Sequence, residues 1–181
     1  MLDLETLGTS PGCSILSIGA TEFGPEGVRG GFYVVIQRQT CLNAGLVEDP
    51  GTLAWWSKQT PEARQILSEA VDPKLAVSLG MALFQFDFWL GQVATLGEPE
   101  RQDLRIWGNG ADFDQPILAQ AYKQAGFNLP WQPRNARCYR TLKNLMPTIK
   151  LKRTGTHHNA LADSQSQAAH AVELMKEVYE W

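Results

Sequence analysis

Three short segments concentrate side chains that could hold divalent cations and move protons: Asp3-Leu4-Glu5-Thr6, Ala111-Asp112-Phe113-Asp114 and His157-His158-Asn159-Ala160-Leu161-Ala162-Asp163. On an extended strand, residues i and i+2 point to the same side. Asp3 and Glu5 therefore present their carboxylates together, while Leu2 and Leu4 face a core. Two like charges side by side are costly without a cation between them, and oxygen-only ligands suit Mg²⁺ or Mn²⁺. The same tripeptide on a solvated edge strand would do no chemistry, and spacing alone does not choose between the two.

In the second segment a strand breaks at Gly108-Asn109-Gly110 and opens a helix, a common place for functional groups. Two aspartates compete there. Asp114 lines up with Ile117, Leu118 and Ala121 on an apolar face, whereas Asp112 lines up with Gln115, Pro116 and Ala119. A carboxylate heading an apolar stripe is costly without a partner or a metal. Asp114 is thus the expected ligand, and Asp112 is expected to start the helix with Gln115 reaching back to it.

In the third segment His158 precedes the last helix and Asp163 lies about one turn inside it. Such a pair can serve one centre from different directions, the carboxylate holding metal and the imidazole taking a proton from an attacking water. Asp163 also falls with Gln167 and His170, away from the Leu161, Ala168, Val172, Met175 stripe, so a solvated Asp163 stays open. His157 and His170 read as structural or exposed.

The elements that would position these groups follow from pattern. Residues 1–7 read as a short strand, and 14–23 and 28–36 as a hairpin turned at Gly24-Pro25-Glu26-Gly27. Asp49-Pro50-Gly51-Thr52 opens a helical region in which Trp55, Trp56, Ile66 and Leu67 can share a buried face. A helix over 74–93, opened by Asp72-Pro73, carries Leu75, Leu79, Leu83, Phe86 and Leu90 at helical spacing. A short strand over 104–107 precedes a helix over 114–125. A strand over 137–139 leads into a short helix stopped by Pro147, and Asn159 caps a final helix over 160–179. The expectation is one α/β domain over residues 1–181. Its mixed sheet would have five strands, three antiparallel and two parallel, flanked by helices.

The 181-residue chain suits a single core, and its 44% hydrophobic and 19% charged residues argue against disorder. No run is long enough to span a membrane, and the start lacks the basic and apolar regions of a secretory signal, so a cytoplasmic protein is the default expectation. Cys13, Cys41 and Cys138 have no metal-ligand spacing and read as free thiols. Net charge is −3, yet Arg134, Arg137, Arg140, Lys143, Lys150, Lys152 and Arg153 fall in one stretch without a single carboxylate. That suits a local phosphate-binding surface on an acidic body, with a solvated basic loop as the bland alternative. The apolar helix carrying Leu75 to Leu90 can bury core or a second copy of the chain, which leaves a homodimer open.

With these segments assembled, the chain resembles the DEDDh branch of the DnaQ-like 3′→5′ exonucleases of the RNase H-like superfamily. Within it, the chain is similar to phage exonuclease A-like proteins and a related bacterial exoribonuclease-like domain. D-x-E-T matches Asp3 to Thr6, A-x-F-D matches Ala111 to Asp114, and H-x(4)-D matches His158 to Asp163, choosing His158 over His157. Thr52-Leu53-Ala54-Trp55-Trp56 through Gln59 and Arg137-Cys138-Tyr139-Arg140-Thr141-Leu142 also look like this subgroup. The resemblance implies hydrolysis of RNA or single-stranded DNA from a free 3′ end with two Mg²⁺ or Mn²⁺ ions, releasing nucleoside 5′-monophosphates. By that analogy Asp3 would touch both ions, Glu5 and Asp163 would hold the one that activates water, Asp114 would serve the second, and His158 would be the general base. Thr6 and Leu7 match positions near the terminal nucleotide, and Phe113 packs or stacks there. Where the family often has N-A-x-F-D, here Gly110 precedes Ala111 and Asn109 sits one place earlier, so Asn109 joins the substrate-binding candidates with Arg137 and Arg140. Trp55 and Trp56 could stack on bases, although adjacent helical tryptophans are usually core. A different class of reading is a catalytically inactive nucleic-acid-binding or protein-interaction domain on the same fold. A degenerate copy would be expected to lack at least one of the five site residues, and none is missing.

Overall fold

The computed structural model describes residues 1–96 and 103–179. Strands β1 (Leu2–Thr6), β2 (Ile15–Gly24) and β3 (Gly27–Val35) form an antiparallel meander in that order. Asp3 lies opposite Gly19 and Glu5 opposite Ser17, and a bulge shifts the register between Glu5 and Thr6. Leu2 and Leu4 enter the main core as alternation requires. Leu7, beyond the bulge, enters a separate cluster with Leu16, Val35, Trp56 and Ile66.

Strands β4 (Ile106–Gly108) and β5 (Ala136–Cys138) pair in parallel. The number and directions of the strands are those expected, but among the described residues they form two ladders, of three and two strands, instead of one sheet. The reason lies at the seam. Asp114 accepts the amide of Leu4 in β1 at 3.1 Å and that of Asn109, just past β4, at 3.0 Å. A side chain thereby takes the place of ladder bonds between backbones.

Seven helices surround the strands among the described residues: α1 (Arg38–Asn43), α2 (Pro50–Trp56), α3 (Pro61–Glu69), α4 (Leu79–Leu96), α5 (Asp114–Gln124), α6 (Tyr139–Leu145) and α7 (Ala160–Tyr179). The region opened at Asp49 is two helices, because Thr60 and Pro61 supply a second start. Helix α4 begins later than residue 74. Asp72 instead closes a turn through the amides of Leu75 and Ala76, and Ser78 Oγ accepts the amide of Met81. Leu75 is consequently 58% exposed and lies outside the helix's buried stripe. Asn159 caps α7 as expected, its Oδ1 accepting the amide of Ala162 at 3.0 Å. Gln115 does not reach back to Asp112. Its buried amide donates to the carbonyls of Ile106 and Arg137, pinning β4 and β5 together, a better use of a buried donor than an exposed cap.

Helix α7 crosses all three strands of the larger ladder. Its first turn rests directly on β2 at Gly19, where a Cβ would lie 2.1 Å from the carbonyl carbon of Ala160. Its other side meets α6 and the loop before it. There His170 Nδ1 bonds the Tyr139 hydroxyl at 2.6 Å, and its Nε2 lies 3.1 Å from the Ile149 carbonyl oxygen. The stripe Asp163, Gln167, His170 is therefore buried, which removes the solvated alternative for Asp163. None of the described helices is long and apolar enough to cross a membrane. The three cysteines are free.

Candidate active site

β1, the turn after β4, the N-terminus of α5, the loop before α7 and α7 itself converge on an open cavity of about 530 Å³. Its lining includes Asp3, Glu5, Thr6, Asn109, Phe113, Asp114, Arg140, His158 and Asp163, nine of the eleven residues expected from sequence. The other two lie elsewhere. Leu7 is fully buried in the core beneath α2 and α3, and the Arg137 guanidinium donates to the carbonyls of Arg134 and Ala136.

Asp3, Glu5 and Asp163 each bring a carboxylate oxygen within 4.8 Å of the others. The cause is the alignment of three features: the i, i+2 geometry of β1, the pairing of Asp3 with Gly19, and the close seat of α7 on that glycine. Gln167, one turn along α7, donates from Nε2 to Asp3 Oδ1 at 2.8 Å, while its Oε1 is buried without a partner. Asp114 stands behind this trio, held by its two amide bonds.

The electrostatics are those of a crowded set of anions. Burial, then the charges of Asp114 and Glu5, holds the Asp3 carboxyl well above its ordinary range, against the pull of the Gln167 bond. Burial, then Asp163 and Asp114, pushes Glu5 up to about 8. Burial also lifts Asp114 to about 6, with the amides of Asn109 and Leu4 opposing. Such a cluster stays ionised together only beside compensating positive charge. Clustered oxygen ligands of this kind fit a hard divalent cation.

His158 sits at φ 61, left-handed backbone that a non-glycine residue seldom adopts. This conformation points its amide at Asp163 Oδ2, 2.9 Å away, and sets its ring 4.9 Å from that of Trp55 and 6.0 Å from that of Trp56. Burial first, and His157 second, holds the His158 pKa below its ordinary value against the pull of Asp163, which favours the neutral ring. The adjacent tryptophans divide the work. Trp56 is buried and its Nε1 donates to the Thr6 carbonyl at 2.9 Å, whereas Trp55 is 43% exposed on the cavity wall.

Among the lining residues that sequence reasoning did not single out, two bond the carboxylates directly. Arg153 forms an ion pair with Asp163 Oδ1, but in sequence it is one of seven neighbouring cations with nothing to single it out. Gln167 looks like any polar helix residue until α7 is docked. Arg140 donates to the Asn109 carbonyl at 2.6 Å and so ties the basic segment to the turn after β4.

A family model for the 3′-5′ exoribonuclease Rv2179c-like domain matches residues 1–175. No curated protein gives a significant match to the chain.

Proposed function

The chain belongs to the Rv2179c-like 3′-5′ exoribonuclease domain family, and on that premise we propose that it is a metal-dependent 3′→5′ exonuclease of the DEDDh type that removes nucleoside 5′-monophosphates from RNA. The observation that carries this reading is the approach of the Asp3, Glu5 and Asp163 carboxylates within 4.8 Å, with Asp114 behind them, on the wall of an open cavity. Asp3, Glu5 and Asp163 would hold one divalent ion, and Asp3 with Asp114 a second. When bound, the ions supply the positive charge that lowers the pKa of water and stabilises both the attacking and the leaving oxygen.

The chain's own groups do the rest. His158, neutral and beside Asp163, takes the proton of the attacking water. Gln167 fixes the Asp3 carboxylate through its Nε2. Trp55 offers an exposed ring on which a terminal base can stack, and Thr6, Asn109 and Phe113 line the same cavity. Arg140 and the basic segment following it supply charge for the phosphates further along the strand.

The test is digestion of 5′-labelled single-stranded RNA beside matched DNA and circular RNA. The expected result is a ladder of shortening products with RNA, abolished by chelator and restored by Mg²⁺ or Mn²⁺. Cleavage of the circle, or turnover indifferent to chelator, would overturn the proposal.

A further inference from the structure

Asp163 Oδ1 has two claimants. The proposed function assigns this carboxylate to a metal ion, yet here it carries the Arg153 guanidinium. Asp163 is 9% exposed at its side chain and Arg153 46%, so the arginine has open space to swing into and the carboxylate is enclosed. The loop that delivers it is anchored close by. The Thr154 amide donates to Ser166 Oγ at 3.0 Å, and Gly155, at φ +76, approaches α7 so tightly that a Cβ would lie 2.8 Å from that of Ala162. The guanidinium itself lines the cavity, on the wall shared with Asp3, Glu5 and His158.

From this geometry we propose that Arg153 is a stand-in cation: it neutralises Asp163 while the site lacks metal, yields that carboxylate to the ion, and turns its guanidinium to a substrate phosphate. This inference rests on the metal-dependent reading above. The exchange conserves favourable charge pairing at both ends. A carboxylate trades a guanidinium for a divalent cation, and the freed guanidinium, with its planar fork of donors, meets a phosphate whose two oxygens it matches. The loop anchor at Thr154 and Ser166 keeps the arginine within reach of the cavity in both states, so only its side chain has to move.

The experiment measures Mn²⁺ binding without substrate by calorimetry, and binding of a fluorescent single-stranded RNA in Ca²⁺ by anisotropy, for the whole chain, Arg153→Ala and Arg153→Lys. Removing the competitor should tighten Mn²⁺ binding about fivefold, the scale of a half-exposed ion pair. The same variant should weaken RNA binding at least about tenfold, the scale of a lost hydrogen bond to a charged group. Arg153→Lys, which keeps the charge and loses the fork, should fall between in both assays. If the unaltered chain binds Mn²⁺ and Arg153→Ala binds it no more tightly, the stand-in role is overturned while the metal site survives. If the unaltered chain binds no Mn²⁺ at all, the metal-dependent reading fails and this inference with it.

Discussion

Glu5 offers a thermodynamic test of the proposed metal site that needs no substrate. Its carboxyl is 7% exposed, and this burial, with Asp163 and Asp114 adding to it, raises its pKa from 4.5 to about 8 in the folded chain. A raised folded pKa means that folding favours the protonated form. Its contribution is fully present below pH 4.5 and is lost as pH rises through about 8. A displacement of that size corresponds to about 5 kcal/mol as an upper bound, since one pKa unit is about 1.4 kcal/mol. Asp3 and Asp114 draw on the same mutual repulsion, so the three effects do not add. About 3 kcal/mol is a realistic span, which for a chain of this length shifts the melting temperature by about 10 °C. The perturbation is Glu5→Gln, which cannot ionise, and thermal unfolding is followed by calorimetry in chelator across this range. Wild type and variant should unfold alike at the acid end, and wild type should fall behind at the alkaline end. Added Mn²⁺ should then raise the wild-type melting temperature most where the carboxylates are ionised, because the ion binds the folded state alone. A wild-type-minus-variant difference that does not change with pH, or a Mn²⁺ effect no larger at the alkaline end, would refute the argument that these carboxylates are crowded enough to require a cation.

Other expectations follow from the same geometry. Asp114→Ala should abolish turnover and, by orphaning the amides of Leu4 and Asn109, cost about 2–4 kcal/mol in urea unfolding. Asp112→Ala, at an exposed position, should keep most activity, and the reverse pair of results would mean that the wrong aspartate has been assigned. His158→Asn should lower kcat about 10²- to 10⁴-fold and remove the acid limb of the pH–rate profile. In the wild type that limb should lie below pH 6.5, since burial lowers the His158 pKa, and a limb unchanged in the variant would exclude it as the base. Trp55→Ala should raise KM with little loss of stability, by about 1–3 kcal/mol of base stacking. Trp56→Ala should instead destabilise the fold by about 3–5 kcal/mol, and equal stability losses at the two positions would contradict the split between wall and core. Gly19→Ala should lift α7 from β2 and weaken Mn²⁺ binding, because the added Cβ would lie 2.1 Å from Ala160; unchanged metal affinity would show that this close seat does not set the site.

Much of the site was legible because it depends on short-range periodicity. The strand period of two put Asp3 and Glu5 on one side with Leu2 and Leu4 on the other, and the helical period chose Asp114, now buried, over the exposed Asp112. Asn159 announced the start of α7 by its cap. In each case the deciding interaction lies within a few residues along the chain.

What the sequence could not show was decided by surfaces that meet only after folding. Spacing left a solvated Asp163 open because amphipathic reading assumes one buried face, whereas α7 is covered on one side by β1–β3 and on another by α6 and the preceding loop. Gln167 and Arg153 gained their partners through that docking. Leu7 keeps the face of Asp3 and Glu5, clustered with Val35 and Leu16, but α2 and α3 cover that end of the face and bury it. The single five-stranded sheet became two ladders because a side chain from α5 took the amides at the seam. Local pattern therefore determined which residues carry charge toward a common side. Long-range packing decided how near those charges stand, and that distance sets how much positive charge they need beside them.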